Sequence, residues 1–514
     1  MSIKNWFLLS FFALLKLQTP FLLSKEYGFH RDELLYLALG RHLDFGFLEV
    51  PPMIALFASL IQNTIGESLW AIHLISGLAG MALVILTGMI AHQMGGKTFA
   101  ILFSGFIVIF SPAFLRIHTL FQPVGWDVLG WTWLIYFWIR HIKTQKGRYL
   151  GGMGAVAGIF FLNKYSIIFC VIAILIATLF SKERQWFLNK KLWLGVGIGL
   201  LIVLPNLIWQ AFHNFPVFHH MEELNVTQLK NVNPLDFVID QFLMHLPITW
   251  VWILGFTGFL KSKTLQPFRM VTVFFLVVIL MLFFLHGKSY YTLGVFPVML
   301  AAGAVAIERL TQNRTFLRVP AVVFPIMLIL PLLPFSIPVL SPEKLTKYAA
   351  TFTEKTGVES FNRWEDGKIH PIPQDFADML GWKEIATLTA KAYYEIPQEE
   401  RKNTIIFAEN YGQAGAIDFY GKEKEFNLPK AYSFSSSYLL WTPEKANPKN
   451  LVYVNDELSD KLKQAFESYK LIGELTEKHA REKGTQIWLL ENANKKFSQI
   501  YQQSNSKEKA FLNE

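Results

Sequence analysis

Long apolar runs recur through the first two-thirds of the chain, each about the length that crosses a bilayer as a helix. Backbone groups cannot stay unpaired in hydrocarbon, so a chain written this way is confined to a bundle of spanning helices. The runs fall at 6–23, 68–91, 99–115, 121–139, 149–162, 165–180, 192–211, 245–260, 270–285, 290–307 and 319–340, eleven in all. The stretch 149–180 also reads as one long broken helix. With 52% hydrophobic and 17% charged residues and a mean hydropathy of +0.31, the chain of 514 residues is too apolar for a soluble protein of its size.

Loop charge gives the expected orientation. With the N-terminus cytoplasmic, inner loops hold Lys97; Arg140, Lys143, Lys146 and Arg148; Lys182, Arg184, Lys190 and Lys191; Lys261, Lys263 and Arg269; and Arg309, Arg314 and Arg318. Only Glu183 and Glu308 oppose them. Outer segments hold Glu26, Asp32, Glu33, Asp44, Glu49, Glu67, Glu222, Glu223, Asp236 and Asp240. Lysine and arginine sort toward the cytoplasm, and eleven crossings satisfy that bias at every loop. The net charge of +9 is mostly this bias, and no basic face with interleaved aromatics marks a nucleic-acid partner. The single cysteine, Cys170, lies mid-helix and excludes a disulfide framework. Leu23-Ser24-Lys25 is a poor cleavage site, so the first run reads as an uncleaved helix.

After residue 340 the chain turns polar. Strand-like runs at 403–407 and 450–454 and a helix-like stretch at 456–469 suggest a small α/β domain over 341–514, joined through Pro331, Pro334, Pro338 and Pro342. Odd crossing parity puts this domain outside, in the periplasm of a diderm bacterium or the equivalent space. The expected organisation is a membrane core over 1–340, with a long first outer loop at 24–67, followed by the outer domain. The tail 503–514 is expected to fray.

That first loop is the richest in chemistry. Arg31-Asp32-Glu33 opens a helical pattern (Leu34, Leu35, Leu37, Ala38), and Glu49-Val50-Pro51-Pro52 turns into an apolar stretch at 53–62. Acids at a helix start gain from the macrodipole, so Asp32 and Glu33 paired with Arg31 or Arg41 is one reading. The other is a general base or substrate ligand at the membrane surface. A second group collects Arg116, His118, Gln122, Trp126 and Asp127, the last about one turn inside its helix. There the acid is either satisfied locally or is a second acid facing the Asp32 cavity. Arg116, Lys164 and Lys288 lie at outer boundaries, where cations are disfavoured. Snorkelling explains such positions, and so does charge-assisted phosphate binding, which Lys288 beside Tyr290 and Tyr291 favours. His213, His219, His220, Glu222 and Glu223 match no zinc spacing and read as a loop, so no metal ligand set is assigned. Glycines at 151–158 and 195–199 read as close helix packing, and no nucleotide-binding fingerprint is present.

These stretches resemble the bacterial members of glycosyltransferase family 39, the dolichyl-phosphate-mannose-protein mannosyltransferase-like group that includes the aminoarabinose transferases. The resemblance is carried by Tyr27-Gly28-Phe29-His30-Arg31-Asp32-Glu33-Leu34-Leu35-Tyr36 and Gly46-Phe47-Leu48-Glu49-Val50-Pro51-Pro52. Further matches are Phe121-Gln122-Pro123 with Asp127, Lys164-Tyr165-Ser166, and Gly287-Lys288-Ser289-Tyr290-Tyr291. Glu409-Asn410-Tyr411-Gly412-Gln413-Ala414-Gly415 is similar to the family's C-terminal module. The resemblance implies a GT-C fold and transfer of a sugar from a polyprenyl-phosphate carrier to a lipid, glycan or protein acceptor on the outer side. Asp32 is then the catalytic acid with Glu33 beside it. Arg31, Tyr36, Glu49, Arg116, Asp127, Lys164, Lys288, Tyr290 and Tyr291 are the expected substrate contacts. Many relatives carry Asp-His-Pro-Pro where this chain has Glu49-Val50-Pro51-Pro52, and the chain lacks an added β-trefoil module, so a protein acceptor is not favoured. An activated donor needs no nucleotide, and a divalent metal enters at most as an aid. The rival reading, a lipid or solute transporter, would bring inverted repeats and mid-membrane charges, and neither is visible.

Overall fold

A computed structural model describes residues 1–423 and 426–512, with the side chain of Asn231 left aside; Asn513 and Glu514, part of the tail expected to fray, lie outside it. The chain divides into two compact units. The first comprises Met1–Leu23, Gly66–Ile208 and Glu223–Val339, and the second Ser24–Ile65, Trp209–Glu222 and Leu340–Glu514. By packing, the first outer loop is therefore grouped with the C-terminal residues, although the sequence reading assigned it to the membrane core.

The first unit is helical. Leu69–Gln93 and Phe296–Leu310 bury most of their residues in one apolar core that also takes in Trp131, Trp138 and Phe274. Glycine lets two helices meet backbone to backbone: a β-carbon on Gly154 would lie 1.9 Å from the Gly195 carbonyl oxygen. Arg148–Phe161 thus packs directly on Lys190–Phe212, the role given to those glycines from sequence. Among the described residues, five helices are long and apolar enough to cross a membrane, or six if Pro234–Leu243 and Leu246–Lys261, bent by 64°, form one broken span. That is fewer than the eleven runs. Several runs fold as shorter helices, such as Ile3–Leu17, Thr98–Ile109 and Ile167–Leu179, below the roughly 20 residues that 30 Å of hydrocarbon asks of a straight helix. The stretch 149–180 is broken, with a turn between Arg148–Phe161 and Ile167–Leu179.

The second unit is α/β. Its sheet has strands β1 (Thr404–Ala408), β2 (Ala431–Tyr432), β3 (Asn450–Asn455), β4 (Phe466–Glu474) and β5 (Gln486–Ala493) in the order β2-β1-β3-β5-β4. β1 runs parallel to β2 and β3, and β5 pairs antiparallel with β3 and β4. The strands expected at 403–407 and 450–454 are β1 and β3. The helix expected at 456–469 is replaced by a short turn of helix, Asp460–Lys463, and then β4. The aromatic and β-branched residues Phe466, Tyr469 and Ile472 favour the pleated surface over the helical reading. Helix Lys495–Glu508 continues through the stretch expected to fray, anchored by Phe497 and Tyr501.

In the same unit, helix Arg31–Arg41 starts where the sequence placed it. His30 is extended and caps it: its Nδ1 accepts the Asp32 N–H at 3.1 Å, while Glu33 Oε2 accepts the His30 N–H at 2.8 Å. That reciprocal pair satisfies two donors a helix start leaves open. The apolar stretch 53–62 is helix Met53–Thr64, which packs on Arg31–Arg41 at Gly40, where a β-carbon would lie 2.7 Å from that of Ala58.

Candidate active site

The sequence-selected residues form two groups, one in each unit. In the second unit Asp32 is the centre. Its side chain is 30% exposed, and its Oδ1 accepts the Tyr411 hydroxyl at 2.7 Å. Arg31 turns its guanidinium over the Tyr411 ring, 4.6 Å from the centroid. His30, buried, has Nδ1 3.8 Å from Asp32 Oδ2 and Nε2 3.7 Å from Asp378 Oδ2. Asp378 is buried and takes Arg481 Nη1 at 3.1 Å. Burial pushes the Asp378 carboxyl up from its ordinary range, and His30, Arg481 and Arg31 temper the rise. Glu33 is fully buried in its cap. Tyr36 follows one turn on, buried, its hydroxyl pushed well above the usual range by burial and then by Asp32.

What brings Tyr411 to Asp32 is close helix packing. Helix Tyr411–Tyr420 begins two residues after β1, with Asn410 Oδ1 accepting the Gly412 N–H at 2.9 Å and the Gln413 N–H at 3.1 Å. A β-carbon on Gly415 would lie 2.9 Å from Leu34 Cβ, so glycine there admits the Arg31–Arg41 helix. Tyr411 thus sits just past the carboxyl end of a strand flanked by two parallel neighbours, the usual place for ligand groups in α/β sheets.

Glu49 belongs to the same unit. Ser437 donates to its Oε2 at 2.7 Å and accepts the Leu48 N–H at 3.0 Å, and Oε1 is buried with no hydrogen-bond partner among the described residues. Burial raises the Glu49 carboxyl above its ordinary range, with Ser437 and His220 pulling the other way. His219 stacks on Phe511, with centroids 4.0 Å apart, and His213 bonds to the Trp209 carbonyl at 2.8 Å. Among the described residues no three His, Cys, Asp or Glu side chains are grouped to hold a metal.

In the first unit the second group forms around Asp127 and Lys164. Asp127 accepts Ser166 Oγ at 2.7 Å and Trp131 Nε1 at 3.1 Å. Lys164 Nζ lies 5.2 Å and 4.9 Å from the ring centroids of Tyr290 and Tyr291 and makes no hydrogen bond among the described residues. Lys288, at the start of the 3₁₀ turn Ser289–Val295 that presents both tyrosines, donates to Gln228 Oε1 at 2.5 Å. Arg116 donates to the Ser336 carbonyl at 3.2 Å and the Phe335 carbonyl at 2.5 Å, which ties it to the end of helix Leu333–Ser336. The structure therefore brings Lys164, Tyr290 and Tyr291 together, with Lys288 and Asp127 beside them in sequence or bonding, and leaves Arg116 on main-chain carbonyls. His30, Asp378, Tyr411 and Arg481 were not singled out from sequence. Tyr411 had a readable signal, since a short strand followed by an Asn cap marks a strand-to-helix turn.

Comparison with known proteins follows the motifs. Residues 49–209 match the family described as dolichyl-phosphate-mannose-protein mannosyltransferase. A curated relative, the lipid A galacturonosyltransferase RgtD of Rhizobium johnstonii, is 24% identical over 227 residues, which cover 43% of this chain and 47% of the relative. The chain thus spans about half the length of that relative. A crystal structure of ArnT from Cupriavidus metallidurans bound to undecaprenyl phosphate matches with a TM-score of 0.60 at 13% identity, over 95% of this chain and 98% of that one. Its apo structure matches equally well. The chain has the fold of that membrane protein, the GT-C fold the motifs led to, and the resemblance to the mannosyltransferase-like group extends from motif to family match.

Proposed function

We propose that this chain is an inverting glycosyltransferase that moves a sugar from a polyprenyl-phosphate donor to an acceptor on the outer side of a bacterial cytoplasmic membrane, with the N-terminus cytoplasmic and the second unit outside. The observation that carries this reading is Asp32: a partly exposed carboxylate fixed at a helix start and hydrogen-bonded by Tyr411. The family match and the ArnT fold support it, as does the bound undecaprenyl phosphate in that relative.

Asp32 takes the proton of an acceptor hydroxyl as its oxygen attacks the anomeric carbon. The carbon–oxygen bond to the phosphate breaks, its electron pair leaves with the polyprenyl phosphate, and the configuration inverts. Lys164, whose Nζ lies over the Tyr290 and Tyr291 rings with Asp127 also near its charge, receives the phosphate, and Lys288 adds charge nearby. Such electrostatic stabilisation of a leaving group contributes several kcal/mol in comparable sites, about 3 in measured cases. An acceptor that is itself a phosphate needs no base, and Asp32 then steadies positive charge developing on the sugar. Glu33 holds the loop through its cap. The donor carries its own activation, so the reaction draws on no nucleotide.

The test is release of labelled sugar from a polyprenyl-phosphate-sugar pool in membranes, for wild type and Asp32→Asn at matched expression. Turnover falling by roughly 10²–10⁴-fold, with undecaprenyl phosphate still bound, is the expected result. Unchanged turnover would remove Asp32 from the chemistry. Absence of release in both, across the common sugars, would return the chain to the transporter reading.

A further inference from the structure

We propose that Tyr411 is a positioning residue for the Asp32 carboxylate, so that the segment following β1 supplies part of the reaction centre and not only access to it. The inference rests on the reading of Asp32 as the base and deepens it.

Three observations converge. The Tyr411 hydroxyl donates to Asp32 Oδ1 at 2.7 Å across a sequence separation of 379 residues. The ring is clamped as well: Arg31 Cζ lies 4.6 Å over its face, and Asn410 fixes the turn of helix that carries it. Gly412 and Gly415 are the positions that let this helix reach its neighbour; a β-carbon on Gly412 would lie 3.3 Å from Arg31 Cβ, and one on Gly415 3.1 Å from the Leu34 carbonyl carbon. A larger residue at either place would push Tyr411 away from the carboxylate. In support, burial and then the charge of Asp32 hold the hydroxyl well above its ordinary range, so it remains a donor at every pH at which the base works.

A carboxylate on a helix start has a rotatable side chain, and a base off line by an ångström loses much of its effect. One oxygen pinned by a non-ionising donor fixes the rotamer while the carboxylate keeps its charge. A tyrosine serving only to join helices would make the same contact, and the two roles separate in kinetics.

The test uses the full chain in detergent with the polyprenyl-phosphate-sugar pool. Tyr411→Phe keeps the ring beneath Arg31 and removes only the hydroxyl. The expected result is a kcat lower by about tenfold or more, with the half-saturating donor concentration within twofold and undecaprenyl phosphate binding unchanged. Rates are expressed per molecule competent to bind undecaprenyl phosphate, so a loss of folded protein does not mimic the effect. Tyr411→Leu, lacking the ring, should lose at least as much kcat and also melt earlier. A Tyr411→Phe enzyme with wild-type kcat, beside an inactive Asp32→Asn, would overturn the positioning role and leave the base in place. An active Asp32→Asn would overturn the base itself.

Discussion

The two polar groups are built on opposite principles. Around Asp32 the charges are many and paired: His30, Asp378 and Arg481 interlock, Arg31 covers Tyr411, and Tyr411 holds the carboxylate. Around Lys164 the charge lies over two ring faces with Asp127 near it, and the neighbouring Lys288 donates to the Gln228 amide among its contacts. A paired network fixes geometry, which suits a group that must hold one line of attack. A cation left to aromatic faces keeps its donors available, which suits a group waiting for an anion. On the proposed reading, the first group suits proton transfer and the second phosphate recognition.

The largest effect expected within that contrast is at Lys164. Replacement by Met keeps the aliphatic stem between the tyrosines and removes the charge. A charge-assisted hydrogen bond is worth about 1.5–3 kcal/mol, so undecaprenyl phosphate binding should weaken by roughly 10- to 150-fold. Arg116→Met, which removes a group already spent on the Phe335 and Ser336 carbonyls, should change that affinity far less and act instead on stability. Equal losses of affinity in the two variants, measured by titration in detergent, would erase the distinction between a waiting cation and a structural one.

How much of this was legible depends on the range of the interaction. Asp32 and its helix could be read because cap, acid pair and apolar pattern lie within a dozen residues. β1 and β3 were readable for the same reason. β4 was not, because Phe466 to Ile472 alternates in a way that also fits an amphipathic helix, and pairing with β5 decides the matter. Several of the eleven runs fold as shorter or broken helices, because apolar run length does not show where a helix will stop. Sequence shows the charge of Arg116 but not the Phe335 and Ser336 carbonyls that it bonds. Tyr411 lies 379 residues from Asp32, and nothing local announces that it meets a carboxylate.

A smaller effect is expected at Asn410, whose side chain caps the helix that presents Tyr411. Asn410→Ala removes both cap bonds and should lower stability by about 1 kcal/mol. If the paired network is what holds Asp32 in line, kcat should fall with it while undecaprenyl phosphate binding, proposed for the Lys164 group, stays constant. A parallel loss of binding would mean that the two groups are not separable as described.

The smallest effect, and the one of opposite sign, belongs to Glu49. Its carboxyl is raised above the ordinary glutamate value, chiefly by burial, and Ser437 offsets this only in part. A group whose folded value is raised adds stability below its unfolded value and gives that stability up as pH climbs through the folded value. At neutral pH ionised Glu49 therefore weighs against the fold. Glu49→Gln keeps the bond from Ser437 and removes the charge, so it should stabilise the chain at pH 7, with the gain fading as pH falls through the raised folded value toward 4.5. Melting curves of both proteins from pH 4 to 8 check the sign. A stabilised Glu49→Gln that has lost turnover would show a charge kept against the fold for the sake of a substrate. A variant less stable at neutral pH would instead make Glu49 a structural partner of Ser437, and the paired network would then include Glu49 as well as Asp32 and Asp378.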